Sequence, residues 1–318
     1  MSASGISVVI PLYNKRSTVK RAIDSILAQR DASFELIVVD DGSSDGSADW
    51  VEVTYGDQLR LYRQDNSGPS AARNRGVALA TYPLVVFLDA DDEFLPGCLV
   101  RHLRCFAAYP DVDVSISGFR VFDHGKPDQE ERIAERLGPC QSDFVFTEIV
   151  AATVLRVPSG SFALSKVLFE KIGGFDPYMH RWEIADFMLR ACLGARKIGL
   201  HNAVSVVIYQ DSGNSQFSRT QGSAEMDTQF AQKILLHASA IPLRQRNALL
   251  GQAVHIAYSL WADGDMAEFQ QIGRQLLGLH KNEIQTGRLL ALSRLPLWLL
   301  QLIARVRSGR ALMTGRKG

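Results

Sequence analysis

The 318-residue chain lacks several things, and each absence narrows the reading. No uninterrupted apolar run reaches the length needed to span a bilayer, so no membrane-spanning helix is expected. The N-terminus has no basic start followed by an apolar stretch and a small-residue cleavage site. Ile6 to Leu12 is short and runs straight into Tyr13-Asn14-Lys15, so a signal peptide is not expected either. Charge of neither sign is in surplus, with 35 Lys and Arg against 34 Asp and Glu, and nothing in the balance points to nucleic acid. The four cysteines, Cys98, Cys105, Cys140 and Cys192, show no metal-ligand spacing. They read as buried or incidental thiols of a reducing compartment, and the expected location is the cytoplasm. Glycines are missing from Pro11-Leu12-Tyr13-Asn14, after the first apolar run. That speaks against a nucleotidyltransferase, whose first strand leads into a glycine-rich, basic phosphate loop.

What is present begins with two acidic clusters, each on the end of an apolar run. Leu36-Ile37-Val38-Val39 leads into Asp40-Asp41-Gly42-Ser43-Ser44-Asp45. Leu84-Val85-Val86-Phe87-Leu88 leads into Asp89-Ala90-Asp91-Asp92. Both runs have the length and β-branched content of buried strands. Carboxylates crowded at a strand end repel unless something positive or hydrogen-bond-donating stands between them. A divalent cation holding a phosphate is one solution, and solvated aspartates at a turn are the plainer one.

The first half of the chain alternates strands and helices. Expected strands are Ile6–Ile10, Leu36–Val39, Leu59–Arg63 and Leu84–Leu88. Helices are expected over Thr18–Ala28, capped by Ser17, over Ser47–Val53, and over Ser70–Ala80 behind Gly68-Pro69. Such repetition gives a mostly parallel sheet with helices on both faces. Ligands bind beyond the carboxyl ends of its strands, which is where both acidic clusters lie. The polar, turn-rich stretch from Phe119 to Phe144 reads as an exposed excursion. The pattern resumes with a strand at Gly160–Ser165, helices at Lys166–Ile172 and Glu183–Leu193, and a strand at Val204–Tyr209. After about Gln221 only helical periodicity is left. The expected division is residues 1–215 and a helical region 216–318.

The order of short motifs resembles the family 2 glycosyltransferases. Ser7-Val8-Val9-Ile10-Pro11-Leu12-Tyr13-Asn14-Lys15 is similar to that family's opening strand and loop. Val38 to Asp45 resembles its second motif, and Asn66 to Gly76, with Arg73-Asn74-Arg75-Gly76, its third. Phe87-Leu88-Asp89-Ala90-Asp91-Asp92 looks like its DxD motif. Gly173-Gly174-Phe175-Asp176 and the helix from Glu183 to Arg190 are similar to its acceptor-side segment. The resemblance covers roughly residues 5 to 215. It implies an α/β fold of GT-A type, with a smaller acceptor-side sheet. It also implies inverting transfer of a sugar from a nucleoside diphosphate donor, with a UDP-sugar expected, to a hydroxyl of a glycan or lipid-linked acceptor. By the same resemblance Pro11 and Tyr13 line the base pocket, Asp41 accepts a hydrogen bond from the base, and Arg73 lies near the base or phosphates. Asp91 approaches the ribose, and Asp92, with Asp91 beside it, holds Mg²⁺ or Mn²⁺ on the diphosphate. Arg73 and Arg75 are two positions apart and cannot share a helix face, so the family pattern selects Arg73.

Two departures from the pattern stand out. Counting back from Arg190, the family's general base is replaced by Ile184, which cannot accept a proton. Glu183 and Asp186 flank it. Asp186 and Arg190 are four apart and suit an ion pair, so Glu183 is the preferred base. A histidine expected after the late strand is also missing, and Asp211 stands near its place. His180 and His201 are assigned structural roles. A catalytically degenerate nucleotide-sugar-binding relative stays as the alternative to an enzyme, and a sugar nucleotidyltransferase ranks third. Finally, Arg288 to Lys317 carries leucines, Trp298 and basic residues with no acidic one. Such a segment is expected to lie on an anionic membrane surface, or else to pack as a last helix.

Overall fold

The computed structural model describes residues 5–123, 129–131, 144–147, 157–210, 223–238 and 243–279. Asp211, Cys140 and the basic segment 288–317 lie outside the described residues. The chain divides into two compact units, residues 1–218 and 219–318.

The first unit is built on one ten-stranded sheet with order β3-β2-β1-β4-β9-β6-β10-β5. Strands β1 (Ile6–Leu12), β2 (Phe34–Asp40), β3 (Arg60–Arg63) and β4 (Leu84–Phe87) are mutually parallel neighbours. The apolar runs of β1, β2 and β4 are buried on both faces, as parallel strands under helices must be, whereas β3, at the sheet edge, is only partly covered. The helices between them are α1 (Val19–Leu27), α2 (Ser47–Tyr55) and α3 (Pro69–Leu79). Helix α1 turns Val19, Ala22, Ile23 and Ile26 inward. Helix α3 lies so close to β1 that a Cβ on Gly76 would stand 2.2 Å from Val9 Cγ1. Only glycine permits that approach.

The second half of the sheet changes direction. Strand β9 (Phe162–Ser165) inserts antiparallel between β4 and β6 (Val114–Asp123). Strand β10 (Ile198–Gln210) then pairs parallel to β6, and the short β5 (Glu93–Phe94) closes the edge. Strands β7 (Gln129–Glu131) and β8 (Phe144–Thr147) add to β6 and β10. Helices α4 (Cys98–Ala108), α5 (Lys166–Lys171) and α6 (Glu183–Gly194) complete the unit.

Three expectations change. The stretch starting at Phe119 is not an exposed excursion at its beginning, because Phe119 is buried in β6 opposite Val206 of β10. Its charged residues come later, and the local polarity spread the reading backwards. Strand β10 begins at Ile198 rather than Val204, with register shifts at Leu200/Val204 and Val204/Val206 that break the alternation a strand reading depends on. Helix α1 is capped at Thr18, without a side-chain bond, rather than at Ser17. The carbonyl of Lys15 instead accepts from Thr18 N and Val19 N.

Behind the carboxyl end of β4, five phenylalanines pack together. The rings of Phe175 and Phe187 stack at 4.0 Å, and Phe87 meets both edge-on. Phe162 and Phe169 fill the remaining sides. Each fully buried ring contributes about 1.5–3 kcal/mol. The cluster fixes the Gly173–Asp176 segment and α6 against the strand that carries the second acidic cluster.

The second unit contains α7 (Ser223–Ala238), α8 (Leu243–Asp263) and α9 (Met266–Leu279). Phe230, Ile234, Leu250, Leu260, Phe269 and Ile272 make its core. Gly264, at φ +90°, turns α8 into α9. Among the described residues no helix is long and apolar enough to cross a membrane.

Candidate active site

The two acidic clusters sit at the carboxyl ends of β2 and β4, on either side of β1. The loop after β1 reaches both. Asn14, at φ +51°, donates its backbone N–H to Ser43 Oγ at 3.0 Å and accepts from Ser44 N at 2.8 Å. One residue on, Lys15 Nζ contacts Asp91 Oδ2 at 2.5 Å.

In the first cluster the carboxylates are held by backbone and amide donors. Asp41 is 3% exposed. Its Oδ1 accepts from Gln64 Nε2 at 2.8 Å and Ser67 N at 2.9 Å, and its Oδ2 from Gly68 N at 2.8 Å. This fastens the start of α3, where Gly68 adopts φ +87° and Pro69 opens the helix. Ser43 N reaches Asp40 Oδ1 at 3.3 Å, and Asp45 accepts from Arg16 N and Ser47 N. Pro11 is half-buried at the end of β1, and Tyr13 beside it is 45% exposed.

In the second cluster the partners are cations. Arg73 is 3% exposed, and its Nη2 donates to Asp89 Oδ1 at 2.7 Å. Its neighbour Arg75 is exposed, as the helix spacing requires. Arg21 donates to the backbone carbonyl of Asp91 and stacks 3.5 Å over the Tyr209 ring. Asp92 is 4% exposed and accepts from Tyr209 N at 3.1 Å. Burial, then the like charges of Asp89 and Asp91, push its carboxyl well above the usual carboxylate range.

The acceptor-side segment joins this cluster through Arg73. Glu183 lies in the first turn of α6, and its Oε1 is 3.5 Å from Arg73 Nη1. Burial raises its carboxyl, Arg73 pulls it back, Asp89 pushes it up again, and the net direction is upward. Burial disfavours the charge of Arg73, but Asp89 and Glu183 outweigh it and hold the guanidinium firmly ionised. Asp186 is 1% exposed and receives Arg190 Nε at 2.9 Å and Nη2 at 2.6 Å. Arg190 also holds the carbonyls of Ile172 and Gly174. Asp186 is thus bound into the lock that positions the Gly173–Asp176 turn. Ile184 packs against the core. Asn74 clamps the same turn from α3, bonding both the N–H and the C=O of Phe175.

Sequence reasoning missed Lys15, Arg21, Asn74 and Tyr209 in these roles. Lys15 and Asn74 lie within quoted motifs, so adjacency was the available signal. The contacts of Arg21 and Tyr209 are long-range, and nothing local announces them. His201 is buried against His102 with ring centroids 5.0 Å apart, a structural place, whereas His180 is exposed near Gly68.

Among the described residues no group of three His, Cys, Asp or Glu is arranged to hold a metal. The donor set of Asp91 and Asp92 nevertheless fits a hard cation carried on a diphosphate, because such a cation takes phosphate and water oxygens and needs few carboxylates. The mutual repulsion felt by Asp92 is also what a cation would relieve.

Comparison with known proteins defines the class. The sequence profile of Glycosyl transferase family 2 matches residues 7–173, and the chain belongs to that family. An uncharacterized glycosyltransferase of Nostoc sp. is 29% identical over 298 residues, 86% of this chain and 88% of that protein. The succinoglycan biosynthesis protein ExoU of Rhizobium meliloti is 40% identical over 97 residues, 30% of this chain and 28% of ExoU. Among solved structures, S. aureus TarS 1–349 in complex with UDP-GlcNAc superposes with a TM-score of 0.65 at 16% identity, covering 98% of this chain and 92% of that one. The same protein in complex with UDP gives 0.58 at 17%, with the same coverage. The fold is the GT-A type of these structures, with helices following the α/β unit.

Proposed function

We propose that the first unit transfers a sugar, with inversion, from a nucleoside diphosphate sugar to a hydroxyl of a glycan or lipid-linked acceptor. The observation that carries this reading is the chain Glu183–Arg73–Asp89, which links a buried carboxylate of the acceptor side to the second acidic cluster. In this reading Pro11, Tyr13 and Asp41 form the base side of the donor site, and Asp91 approaches the ribose. Asp92, with Asp91, holds Mg²⁺ or Mn²⁺ on the diphosphate. When bound, that cation would neutralise the charge that develops on the leaving phosphate. Glu183 takes the proton from the acceptor hydroxyl as its oxygen bonds the anomeric carbon, and the electron pair of the broken sugar–phosphate bond leaves on the diphosphate. The upward shift of the Glu183 carboxyl makes it a stronger base than an ordinary carboxylate. The TarS complexes with UDP-GlcNAc and UDP support UDP as the nucleotide, and ExoU, a succinoglycan biosynthesis protein, supports an envelope polysaccharide setting.

The second reading, a donor-binding relative without turnover, is favoured only by Ile184. Release of UDP from UDP-sugars, with and without Mn²⁺ and in wild type and Glu183→Gln, separates the two. Turnover lost in the variant with donor binding kept supports the enzyme. Tight binding without turnover in wild type supports the relative. The basic segment from Arg288 to Lys317 is proposed, from sequence alone, to rest on the cytoplasmic face of the membrane. Salt-sensitive binding to anionic vesicles, lost when the segment is deleted, is the expected result.

A further inference from the structure

The contact between Lys15 and Asp91 joins the loop after β1 to the second cluster, and it pairs an ammonium with a carboxylate assigned to the donor and metal. We infer that Lys15 is an exchangeable cation. It neutralises Asp91 while the site is empty, and it moves to the donor's diphosphate when the donor and its metal arrive. The inference rests on the metal and donor reading given above.

The argument lies in what is fixed and what is not. The backbone around Lys15 is tied on both sides. Asn14 is bonded to Ser43 and Ser44, Arg16 N donates to Asp45, and the carbonyl of Lys15 caps α1 through Thr18 and Val19. The backbone of Asp91 is tied independently, because Arg21 holds its carbonyl. Arg21 is itself locked over the Tyr209 ring. Breaking the Lys15–Asp91 contact therefore displaces neither partner's main chain. The freedom that is left belongs to the four-carbon stem of the lysine, whose ammonium is a mobile point charge with three donors. Both side chains are about one-third exposed, 34% and 32%, so water and ions reach the pair. A pair with that exposure is weak enough to exchange. The other cations of the cluster are differently made. Arg73 is buried between Asp89 and Glu183, and Arg21 binds a carbonyl rather than a carboxylate. Lys15 alone among these three is joined to its partner at a solvent-reached ion pair.

The consequence has opposite signs for two ligands. Removing Lys15 frees Asp91, so Mn²⁺ in the absence of nucleotide should bind more tightly. It also removes a cation from the diphosphate, so UDP in the presence of chelator should bind more weakly. A residue with a merely structural role would weaken both.

The experiment is calorimetric titration of Lys15→Met, Lys15→Arg and the wild-type full chain with Mn²⁺ alone and with UDP in chelator. Thermal unfolding of each protein confirms the fold. Lys15→Met should bind Mn²⁺ about two- to fivefold more tightly, the range expected for losing a partly exposed pair. It should bind UDP about tenfold more weakly or worse, as for a lost charge-assisted phosphate contact. Lys15→Arg should restore UDP binding. Parallel weakening of both ligands, or no change in either, overturns the exchange while leaving the metal site standing. If neither wild type nor variant binds Mn²⁺, with UDP or without, the metal reading itself fails and the exchange falls with it.

Discussion

The two acidic clusters look alike in sequence, three aspartates within a few residues of a strand end in each, yet they are solved by opposite physics. Around Asp41 the negative charge is met by main-chain N–H groups and one amide. Around Asp91 it is met by Lys15 and Arg73, with the Arg21 guanidinium held beside them on the Asp91 carbonyl. The carboxyl shifts follow the same division. Burial works to raise Asp45, but the Ser47 hydroxyl and the Arg16 N–H outweigh it and hold Asp45 below its ordinary value. Asp92 is pushed well above by burial and by Asp89 and Asp91. A carboxylate held by backbone donors is fixed in place, and its charge is already compensated, before any ligand arrives. A carboxylate left in repulsion with its neighbours is destabilised in the empty protein and is gained back by whatever cation or donor binds there.

The sharpest way to break this comparison is Asp92→Asn. The amide keeps the shape and removes a charge that the folded protein disfavours. Turnover should fall below detection, nucleoside diphosphate affinity in Mn²⁺ should fall, and the melting temperature should hold or rise. Full activity with metal chelated, or a marked loss of stability, would place Asp92 with the fixed, compensated carboxylates instead.

Glu183→Gln comes next, with a loss of about a hundredfold to ten-thousandfold in turnover and donor affinity kept. Asp186→Asn tests the other member of the pair. It removes one half of a buried ion pair, which typically costs about 3–5 kcal/mol, so it should appear as lost stability rather than lost chemistry. Asp186 essential with Glu183 dispensable, in folded protein, would reverse the assignment.

How much of this was legible beforehand depended on whether the cause was local. The parallel strands β1, β2 and β4 announce themselves as β-branched runs, and the helix period alone separates Arg73 from Arg75. The ion pair of Asp186 with Arg190 follows from four-residue spacing. The contacts made across the fold were hidden. Lys15 meets Asp91 from 76 positions away and Asn74 meets Phe175 from 101, and no pattern in either segment names its partner. Strand β6 was lost because its last residues border a polar run, and the start of β10 because its register shifts interrupt the alternation. The bonds that hold Asp41 were hidden for a different reason. Backbone donors are present at every position and leave no sequence trace.

Asp41→Asn therefore probes the first cluster where sequence is silent. An amide can keep the bonds at one oxygen, but its NH₂ group would face the N–H of Gly68 or those of Gln64 and Ser67. Two donors then oppose each other in a buried place. The loss should be about 1–3 kcal/mol, seen as a melting temperature lower by about 2–4 °C for each kcal/mol. If Asp41→Asn melts with wild type while Asp92→Asn melts lower, the compensated and the repelling cluster have been exchanged.

The smallest effect is in pH, and its sign differs between the clusters. Asp92 has a folded value raised above its ordinary 3.8, so its contribution is fully present below that pH and is lost as pH rises through the folded value. The stability advantage of Asp92→Asn over wild type should thus be absent in acid and grow as pH increases. Asp45 has a folded value below 3.8, so its contribution is present above that pH and is lost as pH falls through the folded value. The deficit of Asp45→Asn should be present at neutral pH and close in acid. Asp45 is exposed, and solvent screening keeps its share small. Melting temperatures of the two variants and wild type from pH 4 to pH 8 measure both slopes at once. Curves diverging from wild type in opposite directions toward neutral pH are the outcome that backbone donors on one side and like charges on the other require. Parallel curves would mean that the two clusters are held by the same kind of partner.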